Sequence, residues 1–388
     1  MKIIIAPDSF KGSMTSIEAS EAIRKGLLEV DKDLDVILIP MADGGEGTVE
    51  ALTAILGGEK QSEEVKDPIG RKVHAAFGWI EKTKTAVIET AAASGLPHLE
   101  EGELDPYHAS TYGTGQLVSR ALDLGADKVI LGLGGSATVD AGTGFFEALG
   151  IRFLDEGGNG VQASGGTLGE IKSIDATNLD SRLADVEFTI ASDVSNPLLG
   201  REGAVAVFGP QKGVAEDKLA FFENGMARYA ETVTSHTGKD HRSDEGSGAA
   251  GGFGFSLLAF LQPKFESGFT LISKLSELES HISQARLVIT GEGKVDAQSL
   301  YGKVPVGIAR IAAKYHVPTI AFAGKIEGDL QAAKQQGLSS VLPIVDEPMT
   351  LAEAMEQGPI LLQRAASRFM TNVQLLSEKK EKSSNPTG

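Results

Sequence analysis

The chain has 388 residues, enough for two hydrophobic cores, and contains 47 Gly and no Cys. The missing cysteines exclude disulfides, thiol nucleophiles and thiolate metal sites. A formal charge of −17 disfavours nucleic acid and anionic lipid as partners. We therefore expect two domains with a cleft between them, an arrangement that suits an enzyme acting on small molecules.

Targeting signals are the next class of feature to consider. The N-terminal segment MKIIIAPDSF lacks the long apolar stretch of a signal peptide. No segment approaches the roughly 18 apolar residues that a membrane span needs. The sequence thus predicts a soluble cytoplasmic protein with no membrane partner.

Predicted strands and helices alternate at the start of the chain. Residues 3–6 predict a strand, and Thr15 with Glu18 has the spacing of a helix capping box. Residues 35–40 predict a second strand, which the loop MADGGEGT joins to a helix beginning near Val49. Two successive strand–loop–helix units are typical of a parallel sheet.

The pattern changes near residue 60. Residues 72–80 and 85–90 predict strands separated by turn residues, which indicates an antiparallel insertion. Residues 234–247 are polar and predict an exposed connection. The remaining predictions are helices over 115–124, 145–149 and 304–315 and strands over 128–133, 186–191, 204–208, 286–290 and 318–323.

Together these elements predict an α/β fold of two domains. Residues 1–65 and 285–378 would form a discontinuous Rossmann-like or flavodoxin-like domain with a parallel sheet. Residues 66–284 would form a mixed α/β domain inserted in it. The polar tail 379–388 is predicted to be disordered.

A glycine-rich loop, GGSATVDAGTG, follows the predicted strand 128–133. Glycines let backbone N–H groups approach an anion, and hydroxyls add donors, so the composition is typical of a phosphate-binding loop. A tight connection without a ligand explains the same composition, and this loop alone leaves the choice open. The predicted nucleotide-binding residues are Gly134, Gly135, Ser136, Thr138, Gly142 and Thr143.

Three further loops, at 42–48, 191–200 and 290–299, place carboxylates beside small residues at strand ends. One such Asp is usually explained by backbone capping, but three similar loops favour a shared site. Mg²⁺ prefers oxygen ligands of this kind. The metal-side candidates are Asp43, Glu292 and Asp296.

Several well-known motifs are absent or out of context. The chain has no Walker phosphate loop, no H-E-x-x-H and no G-x-S-x-G, which disfavours Walker-type NTPases, zinc peptidases and serine hydrolases. A G-x-G-x-x-G does occur at 246–251, but it follows a polar stretch and not a strand. It therefore predicts a flexible loop and a helix start, not a dinucleotide site.

Seven segments, spread over nearly the whole chain, carry a resemblance to a known family. The segments are APDSFKGSMTS, MADGGEGTVEAL, GLGGSATVDAGTGF, ASDVSNPLLG, GPQKG, GSGAAGGFGF and TGEGKVDAQSLYGKVP. In wording and in order they resemble the bacterial type I glycerate kinase family. The resemblance implies an ATP-dependent kinase that uses Mg²⁺ to phosphorylate D-glycerate, giving 2-phosphoglycerate or 3-phosphoglycerate, in an interdomain cleft. It leaves open the hydroxyl that is phosphorylated, the range of hydroxy acids and the oligomeric state.

This resemblance allows roles to be assigned as hypotheses. The loop 134–143 would hold the nucleotide phosphates, and Lys11 with Ser9 would hold the glycerate carboxylate or the transferred phosphoryl group. Asp193 is the expected base near the acceptor hydroxyl. The other expected catalytic residues are Lys11 and Asp296, and the other expected substrate contacts are Asp8, Gly45 and Asn196.

Other functions remain open. GLGGSAT resembles the phosphate loop of galactokinase-type kinases, although the order of the other segments does not follow that group. A non-catalytic protein that closes a cleft around its ligand would not consume ATP, and the repeated acidic loops disfavour it. A regulatory protein descended from a kinase would have lost those acidic residues, which are present here.

Overall fold

The computed structural model describes residues 1–295, 304–327 and 330–384. Within these ranges the strands are β1 Lys2–Ile5, β2 Asp35–Leu38, β3 Glu59–Lys66, β4 Lys72–Ile80, β5 Thr85–Glu89, β6 Lys128–Gly132, β7 Arg152–Leu154, β8 Ser173–Asp175, β9 Glu187–Ala191, β10 Lys264–Glu266, β11 Leu287–Val295, β12 Thr319–Ile326 and β13 Leu338–Pro343. The helices are α1 Ser16–Val30, α2 Thr48–Leu56, α3 Ala91–Ser94, α4 Tyr112–Asp123, α5 Thr143–Ala148, α6 Ala204–Phe208, α7 Leu219–Thr237, α8 Ala249–Leu261, α9 Gly268–Leu275, α10 Leu278–Ser283, α11 Val304–Lys314, α12 Leu330–Gln335, α13 Leu351–Glu356 and α14 Gly358–Ser384.

The chain divides into two compact units. Unit 1 is Met1–Asp43 with Phe269–Gly388, and unit 2 is Gly44–Gly268. Both boundaries precede the expected ones at 65/66 and 284/285. The first differs because β3 pairs with β4 inside unit 2. The second differs because the Phe269 ring packs on α11, 2.6 Å from the position of a Cβ on Gly307.

Unit 1 contains a parallel sheet in the order β13-β12-β11-β1-β2. The side chains of Ile3, Ile4 and Ile5 in the interior strand β1, which lies between β11 and β2, are fully buried, as expected of a parallel strand covered on both faces. The predicted capping box of α1 is confirmed: Thr15 Oγ1 accepts from Glu18 N, and Glu18 Oε2 accepts from Thr15 N. The sheet therefore has the predicted parallel, Rossmann-like character.

Unit 2 contains a mixed sheet in the order β10-β9-β6-β5-β4-β3. Strands β5, β6, β9 and β10 pair in parallel, whereas β4 pairs antiparallel with both β3 and β5. A separate antiparallel pair joins β7 and β8. The predicted antiparallel insertion is present, and the predicted α/β class with one parallel and one mixed sheet is confirmed.

One predicted strand is wrong. Residues 204–208 (AVAVF) form helix α6, in which Val207 N donates to Gly203 O at 3.1 Å and Gly209 N donates to Val205 O at 2.9 Å. A short apolar run fits a strand and a buried helical turn equally well. In the fold, Ala204 and Val205 are buried, and local helical bonds satisfy the backbone.

The other differences are smaller. Strand β3 was not predicted, because its sequence EKQSEEVK is charged and lies at the edge of the sheet. The expected connection 234–247 starts with the last turn of α7. Helix α14 continues through Ser384, where a disordered tail was expected from 379, because Lys and Glu favour helices. Residues 385–388 lie outside the described residues. Among the described helices, none is both long enough and apolar enough to cross a bilayer.

Candidate active site

Three carboxylates meet at the carboxyl edge of the unit 1 sheet. Asp8 follows β1, Asp43 follows β2, and Glu292 lies in the last part of the neighbouring strand β11. Asp8 N donates to Gly291 O at 2.9 Å, so the chain after β1 continues beside β11. Parallel pairing therefore gathers side chains that are almost 300 residues apart in sequence.

This cluster carries concentrated negative charge. The pKa of Asp8 is raised to about 7, mainly by burial and in addition by the nearby charges of Asp43 and Glu292. Ser9 N, which donates to Asp8 Oδ1 at 2.7 Å, and the Lys11 ammonium act in the opposite direction. Clustered carboxylate oxygens favour the binding of a cation.

Lys11 and Ser9 border the same cluster. Lys11 Nζ lies 3.7 Å from Asp43 Oδ2 and is largely exposed to solvent. The Ser9 hydroxyl is buried, and within the described part of the chain it has no hydrogen-bond partner. A buried hydroxyl of this kind is a donor ready for a ligand oxygen. The structure thus brings together the predicted residues Asp8, Ser9, Lys11, Asp43 and Glu292.

Of the three metal-side candidates, the structure describes Asp43 and Glu292. Asp296 lies outside the described residues. Across the residues that are described, no group of three or more His, Asp or Glu has the geometry of a metal site. Mg²⁺ needs only one or two protein carboxylates when waters and substrate phosphates complete its shell. Asp43 and Glu292 fit that requirement by donor type and by their proximity to Asp8.

The glycine-rich loop of unit 2 is organised around a buried carboxylate. Asp140 is fully buried and accepts from Thr111 N at 2.8 Å and from Thr111 Oγ1 at 2.7 Å. It also accepts from Gly142 N at 3.1 Å and Gly144 N at 3.3 Å. These two loop amides therefore point at a carboxylate of the protein itself.

The loop hydroxyls are also inside the fold. Thr143 Oγ1 donates to Asp140 O at 2.7 Å, and Thr138 is fully buried. Gly134 is half-buried and Gly135 is exposed. Of the six predicted nucleotide-binding residues, these two glycines are the most accessible, and the assignment of the loop stays a prediction.

Lys212, from the GPQKG segment, lies beneath this loop. Its Nζ donates to Ser136 Oγ at 2.7 Å and to Thr138 O at 2.8 Å, and only 2% of the residue is exposed. Burial lowers the pKa of Lys212 to about 7, although the charge of Asp140 acts to raise it. The buried lysine therefore stabilises the conformation of the loop through these two hydrogen bonds.

The G-x-G-x-x-G segment packs against the same loop. Ala141 N donates to Gly251 O at 3.1 Å, and Ser256 Oγ donates to Ala141 O at 2.5 Å. Gly251 has φ +70°, and a Cβ there would lie 2.1 Å from Thr138 O. Its glycines thus permit a close backbone contact, where a flexible loop was expected.

The predicted substrate residues of unit 2 lie near the carboxyl edge of its sheet. A Cβ on Gly134 would lie 2.6 Å from Gly45 Cα, so these residues from two different motifs meet. Asp193 is exposed and follows β9 by two residues. Asn196 Nδ2 donates to Glu202 O at 2.8 Å and braces its own loop.

Glu89 was missed by the sequence analysis. It ends β5, and its Oε1 accepts from Val49 N at the start of α2 at 2.8 Å. Burial raises the pKa of Glu89 to about 7, although the Val49 N–H acts to lower it. The sequence signal that could have identified Glu89 was its position as an acidic residue near the end of a predicted strand.

Two cavities differ in their relation to these residues. A pocket of about 430 Å³ in unit 1 is lined by Asp8, Ser9, Lys11, Asp43 and Glu292. A larger cavity of about 860 Å³ in unit 2 is lined by none of the predicted site residues. We regard the smaller pocket as the candidate active site, because the convergent charged groups lie there.

Comparisons with known proteins show the family of this chain. A model of the glycerate kinase family matches residues 3–374. The chain is similar to a glycerate kinase of Bacillus subtilis (strain 168), with 43% identity over 97% of this chain and 98% of that protein. It is also similar to the glycerate 2-kinase of Escherichia coli (strain K12), with 44% identity over 91% of this chain and 93% of that protein.

A solved structure shows the same likeness. A crystal structure from Salmonella typhimurium LT2, provisionally named glycerate kinase 2, matches with a TM-score of 0.87 and 39% identity. The match covers 97% of this chain and 99% of that one.

Proposed function

We propose, because this chain belongs to the glycerate kinase family, that it transfers the γ-phosphoryl group of ATP to D-glycerate. The Escherichia coli relative is named glycerate 2-kinase. That name favours the 2-hydroxyl as acceptor and 2-phosphoglycerate as product.

The observation that carries the proposal is the cluster of Asp8, Asp43 and Glu292 beside Lys11 in one pocket. A kinase needs oxygen ligands for a metal next to a cation that attracts anionic substrate groups. Bound there, Mg²⁺ would neutralise charge on the transferring phosphoryl group. Asp43 and Glu292 would hold it, with Asp296 as a third candidate.

Glycerate is an anion with two hydroxyls, and Lys11 and Ser9 suit it. The ammonium of Lys11 is accessible, and the buried Ser9 hydroxyl offers a donor for a carboxylate oxygen. Asp8 adds an acceptor for a substrate hydroxyl. Gly45 and Asn196 are the further substrate contacts that the sequence predicts.

Asp193 is the proposed base for the acceptor hydroxyl. Its exposure makes it accessible to a ligand, and its position after β9 is typical of functional residues in α/β sheets. For the nucleotide phosphates, the sequence predicts the loop 134–143. Among those residues Gly134 and Gly135 are the most accessible, whereas Asp140 already accepts hydrogen bonds from the amides of Gly142 and Gly144.

The test is a product analysis. Purified protein is incubated with ATP, Mg²⁺ and D-glycerate, and the products are identified by phosphorus NMR. We expect ADP and 2-phosphoglycerate, with galactose giving no sugar phosphate. ADP formation without a phosphoglycerate, or phosphorylation of galactose in place of glycerate, would contradict the proposal.

A variant pair tests the base. Asp193→Asn should lower kcat by on the order of a hundredfold, the usual size of an acid–base contribution. Asp185→Asn is the matched control, because Asp185 is also exposed in unit 2. Equal kcat values for the two variants would remove Asp193 from the role.

A further inference from the structure

The unit 1 pocket has an apolar side that phosphorylation of glycerate does not explain. Besides the carboxylates it is lined by Phe10, Ile344, Val345, Leu351 and Met355. Leu351, the first residue of α13, is 76% exposed. A leucine this exposed beside a pocket offers apolar surface to a ligand.

The size of the pocket also exceeds the needs of glycerate. Its volume is about 430 Å³. Even at about 30 Å³ per non-hydrogen atom, the share of a liquid water molecule, glycerate would fill only about half of that volume. Glycerate also has no apolar group to place against the leucine and methionine. The pocket therefore has room for more than glycerate, and its lining suits part of a larger ligand that carries an apolar group and an anionic group.

Two lysines supply the cationic end. Lys294 Nζ lies 2.8 Å from Glu327 Oε2, and Lys325 Nζ lies 2.5 Å from Glu327 Oε1. Both lysines line the pocket and both are about half exposed or more. The shared carboxylate thus holds two ammonium groups close together, a spacing that suits the successive phosphates of a nucleotide.

Two glycines adjoin the lysines in sequence. Gly293 in β11 and Gly324 in β12 are neighbours, and both line the pocket. A Cβ on Gly324 would lie 2.7 Å from Gly293 O, so glycine permits the close approach of the two strands. Because neither residue has a side chain, both leave main-chain atoms in the pocket wall.

We propose that this pocket binds the nucleoside triphosphate. The base lies against Leu351 and Met355, and the phosphates lie on Lys294 and Lys325, pointing toward the carboxylate cluster. The inference rests on the proposed function in taking ATP as the phosphoryl donor. It places the nucleotide within unit 1, whereas the sequence predicts the glycine-rich loop of unit 2.

Equilibrium binding tests the proposed contact between the base and the apolar residues of the pocket. Binding of a non-hydrolysable ATP analogue with Mg²⁺ is measured by calorimetry in the absence of glycerate. Leu351→Ser should raise Kd by about fivefold to tenfold, because the base loses part of an apolar contact. The control is Leu376→Ser, another exposed leucine of unit 1, outside the pocket, which should leave Kd unchanged. Equal Kd values for the two variants would overturn the inference.

A second variant tests the proposed contact between the phosphates and the pocket lysines. Lys325→Ala should weaken binding of the analogue and make it less sensitive to salt, because an exposed ammonium attracts phosphate through a screened interaction. Lys314→Ala, an exposed lysine of α11, is the control. Unchanged affinity and unchanged salt dependence in Lys325→Ala would count against the assignment.

Photolabelling decides between the two units. The full-length protein is irradiated with 8-azido-ATP, and labelled peptides are identified by mass spectrometry. Labelling within residues 344–355 supports the inference, and labelling confined to unit 2 overturns it. Formation of phosphoglycerate together with labelling of unit 2 alone would leave the proposed function intact. Labelling of unit 1 without phosphoglycerate would reject the function and keep the nucleotide site.

Discussion

The unit 1 pocket and the unit 2 glycine-rich loop use similar residues in opposite ways. Both combine acidic residues with a lysine near the carboxyl ends of parallel strands. In unit 1, Lys11 is exposed and the Ser9 hydroxyl has no hydrogen-bond partner within the described chain. In unit 2, Asp140 and Lys212 are buried and bonded to the loop itself.

The difference shows that loop composition alone does not identify a ligand site. Glycine and hydroxyl donors bind an anion only when they are free to meet it. In the loop 134–143, a carboxylate of the protein takes the place that a phosphate would occupy at Gly142 and Gly144. In unit 1, the exposed Lys11 ammonium and the carboxylates of Asp8, Asp43 and Glu292 line a pocket. The pocket is therefore suited to substrates, whereas the loop of unit 2 stabilises its own conformation.

If Asp140 holds the loop together, its removal should have the largest effect on unit 2. Asp140→Ala would leave the buried donors of Thr111, Gly142 and Gly144 unpaired and remove the charge facing Lys212. We expect a loss of about 3–5 kcal/mol in the free energy of unfolding. Denaturant unfolding followed by the fluorescence of Trp79, the single tryptophan, reports on this unit.

Asp217→Ala is the control for this measurement, because Asp217 is exposed and its ion pair with Lys218 is 3.6 Å long. Its loss should cost less than about 1 kcal/mol. An equally small change in Asp140→Ala would show that the loop does not depend on its central carboxylate.

In unit 1 the corresponding change should affect turnover and not stability. Asp43→Asn removes a proposed metal-side charge, and kcat should fall by about a hundredfold, the size typical for loss of one charge-stabilising group. The concentration of Mg²⁺ needed for half-maximal activity should rise. Asp33→Asn, an exposed residue of the same unit, should behave as the wild type in both respects. Wild-type turnover and Mg²⁺ requirement in Asp43→Asn would separate this residue from catalysis.

Lys212 should make a smaller contribution to the free energy of unfolding, and this contribution should depend on pH. Burial lowers the pKa of Lys212 to about 7 in the folded chain, whereas an unfolded lysine titrates near pH 10.4. Between these values the unfolded chain binds one more proton, so this residue makes the free energy of unfolding rise with pH. The slope is about 1.4 kcal/mol per pH unit above pH 7, and it vanishes below pH 7, where both states carry the proton.

Lys212→Met should remove that slope. The stability of the wild type relative to the variant should therefore increase from pH 7 to pH 9, as measured by denaturant unfolding at each pH. Lys218→Met, at an exposed lysine of the same unit, should show no such trend. A pH-independent difference between the wild type and Lys212→Met would mean that Lys212 titrates normally in the fold.

Much of the fold could be predicted from local patterns. The capping box at Thr15, the apolar strand at 3–6 and the antiparallel strands at 72–80 and 85–90 are all present. Where local patterns were ambiguous, prediction was incomplete. AVAVF at 204–208 forms a helix, and the charged edge strand Glu59–Lys66 has no hydrophobic alternation to reveal it.

The sequence by itself determined the α/β class, the family and the acidic loops at strand ends, because these depend on local periodicity and on the order of short segments. Only the tertiary structure decided which of these groups line a pocket. Parallel pairing brings Asp8 beside Glu292 in a pocket, whereas packing buries Asp140 and Lys212 under their own loop. The burial of a side chain and its hydrogen-bond partners depend on residues that are far apart in the chain. A local sequence pattern therefore cannot predict them.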